Sequence, residues 1–155
     1  MNRYLTGLFT EDSGITIGVD FHLKKINFDD RRVSLQIWDF AGEDRFRFLL
    51  PSYLMGASGG IFMFDITRYT SLTNFNDWVK VVEQGTIGQK EAIPILMVGS
   101  KLDLEYKRAV PMEDAMKIAK NNGLYGYVEC SSKTGQNVEE IFIELTKEMI
   151  RKANL

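Results

Sequence analysis

Cysteine is almost missing from these 155 residues: Cys130 stands alone, which excludes an intrachain disulfide and a cysteine-based zinc site and fits a reducing, cytoplasmic setting. Histidine is equally scarce. The single His22 has no second ligand near it in sequence and reads as an exposed strand side chain rather than a metal ligand. Only three prolines occur, Pro51, Pro94 and Pro111, each where an element boundary is expected, and there is no Pro-rich linker, low-complexity run or internal repeat. The chain therefore reads as one domain over residues 1–155. Neither sign of charge dominates: 19 basic residues stand against 21 acidic ones for a net −2, with no block of like charge, which argues against nucleic acid or an anionic membrane as a partner. No apolar run reaches the length of a bilayer span, MNRYLTGLF has no signal-peptide core and EMIRKANL has no cysteine, so neither a leader nor a membrane anchor is expected in these residues.

What is present is apolar side chain, 45% of the sequence and enough at this length to close a core. Two strand-like runs, VDFHLKKINF and RVSLQIWD, flank the polar Asp29-Asp30-Arg31-Arg32, the composition of a hairpin turn. GIFMFDI and IPILMVG are short continuous apolar runs, as expected of parallel strands buried on both faces. A helix carrying Leu72, Phe75, Val79 and Val82 on one face is expected after the first, and the last helix carries Ile141, Phe142, Leu145 and Met149. Pro111 suits the first turn of a helix that Gly123 would end, and Asn137 with Glu140 reads as a capping box. The methionines Met55, Met63, Met97, Met112, Met116 and Met149 fall mostly on expected core faces. Strand and helix then alternate as in an α/β doubly wound, mostly parallel sheet with one antiparallel edge strand.

Ligands of such sheets bind outside the carboxyl ends of the strands. The loop after the second strand reads Asp39-Phe40-Ala41-Gly42-Glu43-Asp44-Arg45-Phe46, a strand-end carboxylate followed by a glycine whose amide can approach an anion, which suits magnesium and phosphate. Later loops read Ser100-Lys101-Leu102-Asp103 and Ser131-Ser132-Lys133-Thr134-Gly135. DFAG, SKLD and CSSKTG resemble, in order, three guanine-nucleotide motifs of the Ras-superfamily GTPases, and TIGVDF at Thr16 to Phe21 is similar to the first switch of Rab proteins. The resemblance runs on through QIWDFAGEDRFR and SYLMGA to the last helix. Each motif alone is weak; four in the right order are hard to produce by chance.

Carried over by position, the resemblance implies a molecular switch that binds GTP or GDP with magnesium and hydrolyses GTP. It implies that Thr16 ligates magnesium and meets the γ-phosphate, that Asp39 holds magnesium through water, and that Gly42 donates its amide to the γ-phosphate. Asp103 would accept two hydrogen bonds from the guanine edge, the stem of Lys101 would lie along the base, and Ser131, Ser132 and Lys133 would line the base pocket with Ser100. Phe9 matches the aromatic that packs on the base in many relatives. Phe21, Trp38 and Tyr53 match an aromatic triad that Rab proteins offer to effectors, although aromatics on strands often only cover a core. Arg45 and Arg47 are assigned no catalytic role.

Three departures accompany the resemblance. The pattern G-x-x-x-x-G-K-[ST] does not occur in these residues, and Met1 corresponds to the middle of the helix that follows that loop, so the domain reads as N-terminally incomplete, with weakened nucleotide binding and a gap where the family's central strand would lie. Glu43 stands where the family has a glutamine that orients the attacking water, and Ser100 stands for asparagine. The rival reading is a pseudo-GTPase that holds a protein partner and uses no nucleotide.

Overall fold

Alternating exposed and half-buried side chains from Val19 to Phe40 build an antiparallel hairpin in the computed structural model, which describes residues 1–11, 16–28, 30–42, 47, 48, 50–89 and 91–154. Strand β1 (Val19–Phe28) pairs with β2 (Arg31–Phe40) from Val19 opposite Phe40 to Phe28 opposite Arg31. Arg31 and Arg32, expected in the turn, belong to the ladder instead, because continued pairing satisfies their backbone groups. His22 is half-buried rather than exposed, since it shares the inner face of β1 with Lys24 and Ile26.

The second sheet is parallel, in the order β3 (Gly60–Asp65), β4 (Ile95–Ser100) and β5 (Gly126–Glu129). Its middle strand is the most apolar, and Leu96, Met97 and Val98 are 2%, 0% and 0% exposed. One face carries Phe64, Ile66, Leu72, Phe75, Val110 and Ala115, and the other packs Leu96, Val98 and Cys130 against Ile141 and Leu145. Short helices α1 (Asn2–Thr6) and α2 (Leu50–Leu54) precede the sheet in sequence. Tyr4 of α1 stacks on Phe142 with ring centroids 3.6 Å apart.

The helix expected through Leu72 and Val82 is two helices, α3 (Thr70–Thr73) and α4 (Phe75–Gly85), because Asn74 leaves helical geometry at φ −84°, ψ 4°. Helix α5 (Met112–Asn121) follows Pro111, and the chain reverses at Gly123, where φ of +63° favours glycine. Helix α6 (Val138–Lys152) corrects the capping-box expectation. Asn137 sits in the left-handed region at φ 58°, and its side-chain amide donates to Glu129 O at 2.7 Å instead of capping the first turn. The methionines are a second correction. Met97 is in the core and Met149 packs against the cluster of Leu96, Val98 and Ile141, but Met55 lies in the turn after α2 and Met63, Met112 and Met116 are on solvent-facing sides of their elements, so all four are exposed. Among the described residues the strands form two sheets, and β2 and β3 are both edge strands with no strand hydrogen-bonded between them.

Candidate functional site

The carboxyl end of the parallel sheet gathers the loops after β4 and β5. Lys101, directly after β4, adopts a left-handed conformation with φ 67° and turns the chain into a 3-10 helix over Leu102–Lys107. Two backbone bonds join the loops, Cys130 N–H to Gly99 O at 2.8 Å and Leu102 N–H to Cys130 O at 2.9 Å. Ser131, with no exposed surface, is the hub. Its hydroxyl donates to Asp103 Oδ1 at 2.6 Å and accepts from the Thr134 amide at 3.1 Å. Its own amide and carbonyl are bonded to Gln136 O and Gly135 N–H. The Asp103 carboxylate is thus aimed before any ligand arrives, with acceptor capacity left for two further donors. Ser132 is half-buried and Lys133 exposed in the same loop. The Ser100 hydroxyl donates to Phe64 O at 2.7 Å, which ties β4 to β3.

Sequence reasoning missed two further groups of residues here. Asp65, at the end of β3, accepts from the amide and hydroxyl of Thr67 at 2.8 and 2.7 Å and pairs with Lys101 Nζ at 2.7 Å. Burial raises the Asp65 carboxyl, but the hydrogen bonds from Lys101 and Thr67 and the lysine charge outweigh it and hold the group below its ordinary value. Under the loops after β4 and β5, Arg108 meets both oxygens of Glu129 at 2.7 Å, and the Tyr127 hydroxyl donates to Glu129 Oε1 at 2.6 Å. The Glu129 carboxyl also falls below its ordinary value, because the bonds from Arg108 and Tyr127 and the guanidinium charge overcome burial. A Cβ on Gly99 would stand 2.7 Å from the Tyr127 hydroxyl, so the strand approaches this cluster too closely for any other residue. The signal available in sequence was a glutamate inside the apolar run YVEC, since a buried charge requires a partner.

On the other side of the site, the Thr16 hydroxyl lies 3.4 Å from Asp39 Oδ2, and Ala41 N–H bonds Gly18 O at 2.9 Å. The two residues expected to hold magnesium are therefore adjacent. Hard oxygens from one carboxylate and one hydroxyl suit that ion, which keeps several waters and takes its remaining ligands from phosphate. Gly42 is exposed, with open space at its Cβ position, so its backbone is approachable. Glu43 and Arg45 lie outside the described residues. Phe9 is 40% exposed and has no ring partner among the described residues. Phe21, Trp38 and Tyr53 come together, with centroids 4.7 and 4.9 Å apart, and Phe40 adds an edge contact to Tyr53. Arg47 pairs with Asp77 and lies over Trp78.

A parallel α/β sheet with an oriented aspartate in one carboxyl-end loop and a Thr–Asp oxygen pair beside it is the architecture of a GTPase-fold domain. The Ras family profile matches residues 1–151. The chain is 35% identical over 155 residues to the Ras-related protein Rab-19 of Homo sapiens, covering 100% of this chain and 70% of that protein. Rab-19 of Xenopus laevis is 37% identical over 152 residues, 98% of this chain and 70% of that protein. RABE1e of Arabidopsis thaliana is 36% identical over 148 residues, 95% of this chain and 66% of that protein. The chain belongs to the Ras family and is Rab-like, and that membership implies guanine-nucleotide binding. Among the described residues no helix is long and apolar enough to cross a membrane.

Proposed function

We propose that this domain is a GTP/GDP switch that binds guanine nucleotide with Mg2+, hydrolyses GTP and presents its aromatic surface to protein effectors. The observation that carries the reading is the buried Ser131 hydroxyl on Asp103 at 2.6 Å. A carboxylate held this way accepts from the ring N–H and the exocyclic amine of guanine, a bidentate match that adenine cannot offer. Lys101 lies along the base, with Ser132 and Lys133 closing the pocket. Thr16 and Asp39 hold the ion, and the approachable Gly42 amide meets the γ-phosphate. When bound, Mg2+ neutralises charge developing on the β- and γ-phosphate oxygens. Thr16 and Asp39 contact one another at 3.4 Å, a long bond, so the γ-phosphate and the ion would be the main ties between these two residues. Trp38 immediately precedes Asp39, so the triad with Phe21 and Tyr53 is one residue from the nucleotide site, and a cytoplasmic setting suits such a regulator.

Because G-x-x-x-x-G-K-[ST] does not occur in these 155 residues, we expect weak nucleotide affinity from this stretch by itself. Glu43 stands where the family has glutamine, and a carboxylate cannot donate as the amide does, so we expect slow hydrolysis that Glu43→Gln speeds. The test is mant-GDP and mant-GTP binding with Mg2+ to this chain and to a version extended by a strand and a G-x-x-x-x-G-K-[ST] loop. Tight binding by the extended version, lost in Asp103→Ala, supports the switch. A second reading, a partner-binding module that uses no nucleotide, draws on the 48% and 43% exposure of Phe21 and Trp38, and it wins if neither version binds.

A further inference from the structure

We infer that Asp65 is a positioning residue for guanine recognition, acting through Lys101; the inference rests on the switch reading above and extends it to a residue outside the nucleotide motifs. A lysine stem has four rotatable bonds, and an unanchored one samples many rotamers, so laying it along a base costs conformational entropy unless its end is fixed first. Here both ends are fixed. The backbone of Lys101 is held in the left-handed region at φ 67°, with its carbonyl accepting from Leu104 N–H at 2.8 Å. Its ammonium is held by Asp65 Oδ2 at 2.7 Å.

The anchor is itself held at both carboxylate oxygens. Asp65 is 12% exposed at its side chain, and its other oxygen is engaged by the Thr67 amide and hydroxyl at 2.8 and 2.7 Å. Its amide donates to Ser71 Oγ at 3.0 Å. The neighbouring bonds Ser100 Oγ to Phe64 O and Ile66 N–H to Ser100 O, at 2.7 and 3.2 Å, fix the end of β3 against the start of the base loop. The two side chains assigned to guanine are thus held from opposite neighbours of β4. Ser131, after β5, orients Asp103, and Asp65, at the end of β3, orients Lys101. Ser131 belongs to a nucleotide motif itself, whereas Asp65 lies outside all of them.

The test is a backbone-amide NMR titration of this chain with Mg2+ and GDP or inosine diphosphate, a method that reads weak dissociation constants. Lys101 is 54% exposed at its side chain, so Lys101→Met folds. A residue that only orients the stem acts on any purine alike. Asp65→Asn, which keeps an oxygen for Thr67, should therefore weaken GDP and inosine diphosphate by the same factor, about tenfold, and add nothing in a Lys101→Met background. Lys101→Met alone should produce the same loss. If Asp65→Asn or Lys101→Met stays within twofold of wild type, or if Asp65→Asn weakens binding equally in the Lys101→Met background, the inference fails while the switch reading stands. If GDP shifts no amide around 100–103 or 131–133 in the wild-type chain, the same variants are read in the version extended by a strand and a G-x-x-x-x-G-K-[ST] loop, and if that version does not bind either, the switch reading fails and takes this one with it.

Discussion

The base side and the phosphate side of the site are built to different standards. Around Asp103 the loops after β4 and β5 are joined by short bonds to a serine with no exposed surface. Among the described residues the Asp39 side chain is met by a long bond from Thr16, and Gly42 is open to solvent. The contrast is what the proposed switch would require of each half. Discriminating one base from another requires acceptors that are oriented before binding, because an aspartate free to rotate would accept from many donors. A switch requires loops whose order is decided by the ligand, and such segments come from the least stable parts of a fold.

The largest effect is expected from breaking the support under the base side. Arg108 and Glu129 are 18% and 5% exposed at their side chains, so removing one leaves the other as an uncompensated buried charge. Arg108→Ala should lower unfolding free energy by about 3–5 kcal/mol, read as a fall in urea midpoint. The same cluster gives the pH dependence its sign. Glu129 and Asp65 are both held below their ordinary values in the folded chain, so their contribution is fully present above those values and is lost as pH falls through the lower folded ones. The urea midpoint should therefore be flat near neutrality and drop below about pH 4.5. A midpoint that fell equally in Arg108→Ala over that window would assign the acid sensitivity to other carboxylates.

Much of this architecture was legible because strands announce themselves by side-chain period. The alternation through β1 and β2 and the apolar runs of β3 and β4 place the site loops at strand ends, and three motif residues, Thr16, Asp39 and Asp103, point to chemistry from there. What stayed hidden is contact between residues far apart in sequence. Arg108 and Glu129 are 21 positions apart and Ser100 reaches Phe64 across 36, distances over which no local pattern operates. Asn137 failed for a different reason: its residue type fits a cap, but a left-handed backbone aims the side chain at β5. The break at Asn74 likewise left no trace, since the apolar spacing runs through it unchanged.

A smaller effect should come from the hub itself. Ser131→Ala removes the donor to Asp103 and the acceptor for the Thr134 amide at a fully buried position, and leaving those groups unpaired should cost about 1–3 kcal/mol. Its discriminating readout is selectivity: preference for GDP over inosine diphosphate should narrow, because the exocyclic amine then meets a carboxylate that turns.

The smallest stability effect is expected on the phosphate side, where it is most informative. Thr16→Val keeps the side chain's shape and removes a hydroxyl whose bond to Asp39 is long and only partly buried. Thermal unfolding of the ligand-free chain should shift by no more than the equivalent of about 0.5 kcal/mol. Binding measured with and without Mg2+ should nevertheless lose most of its metal dependence if, as proposed, the Thr16 oxygen belongs to the ion's donor set. A stability loss as large as that of Ser131→Ala would mean that the phosphate side is as rigidly built as the base side, and the division of labour between them would have to be abandoned.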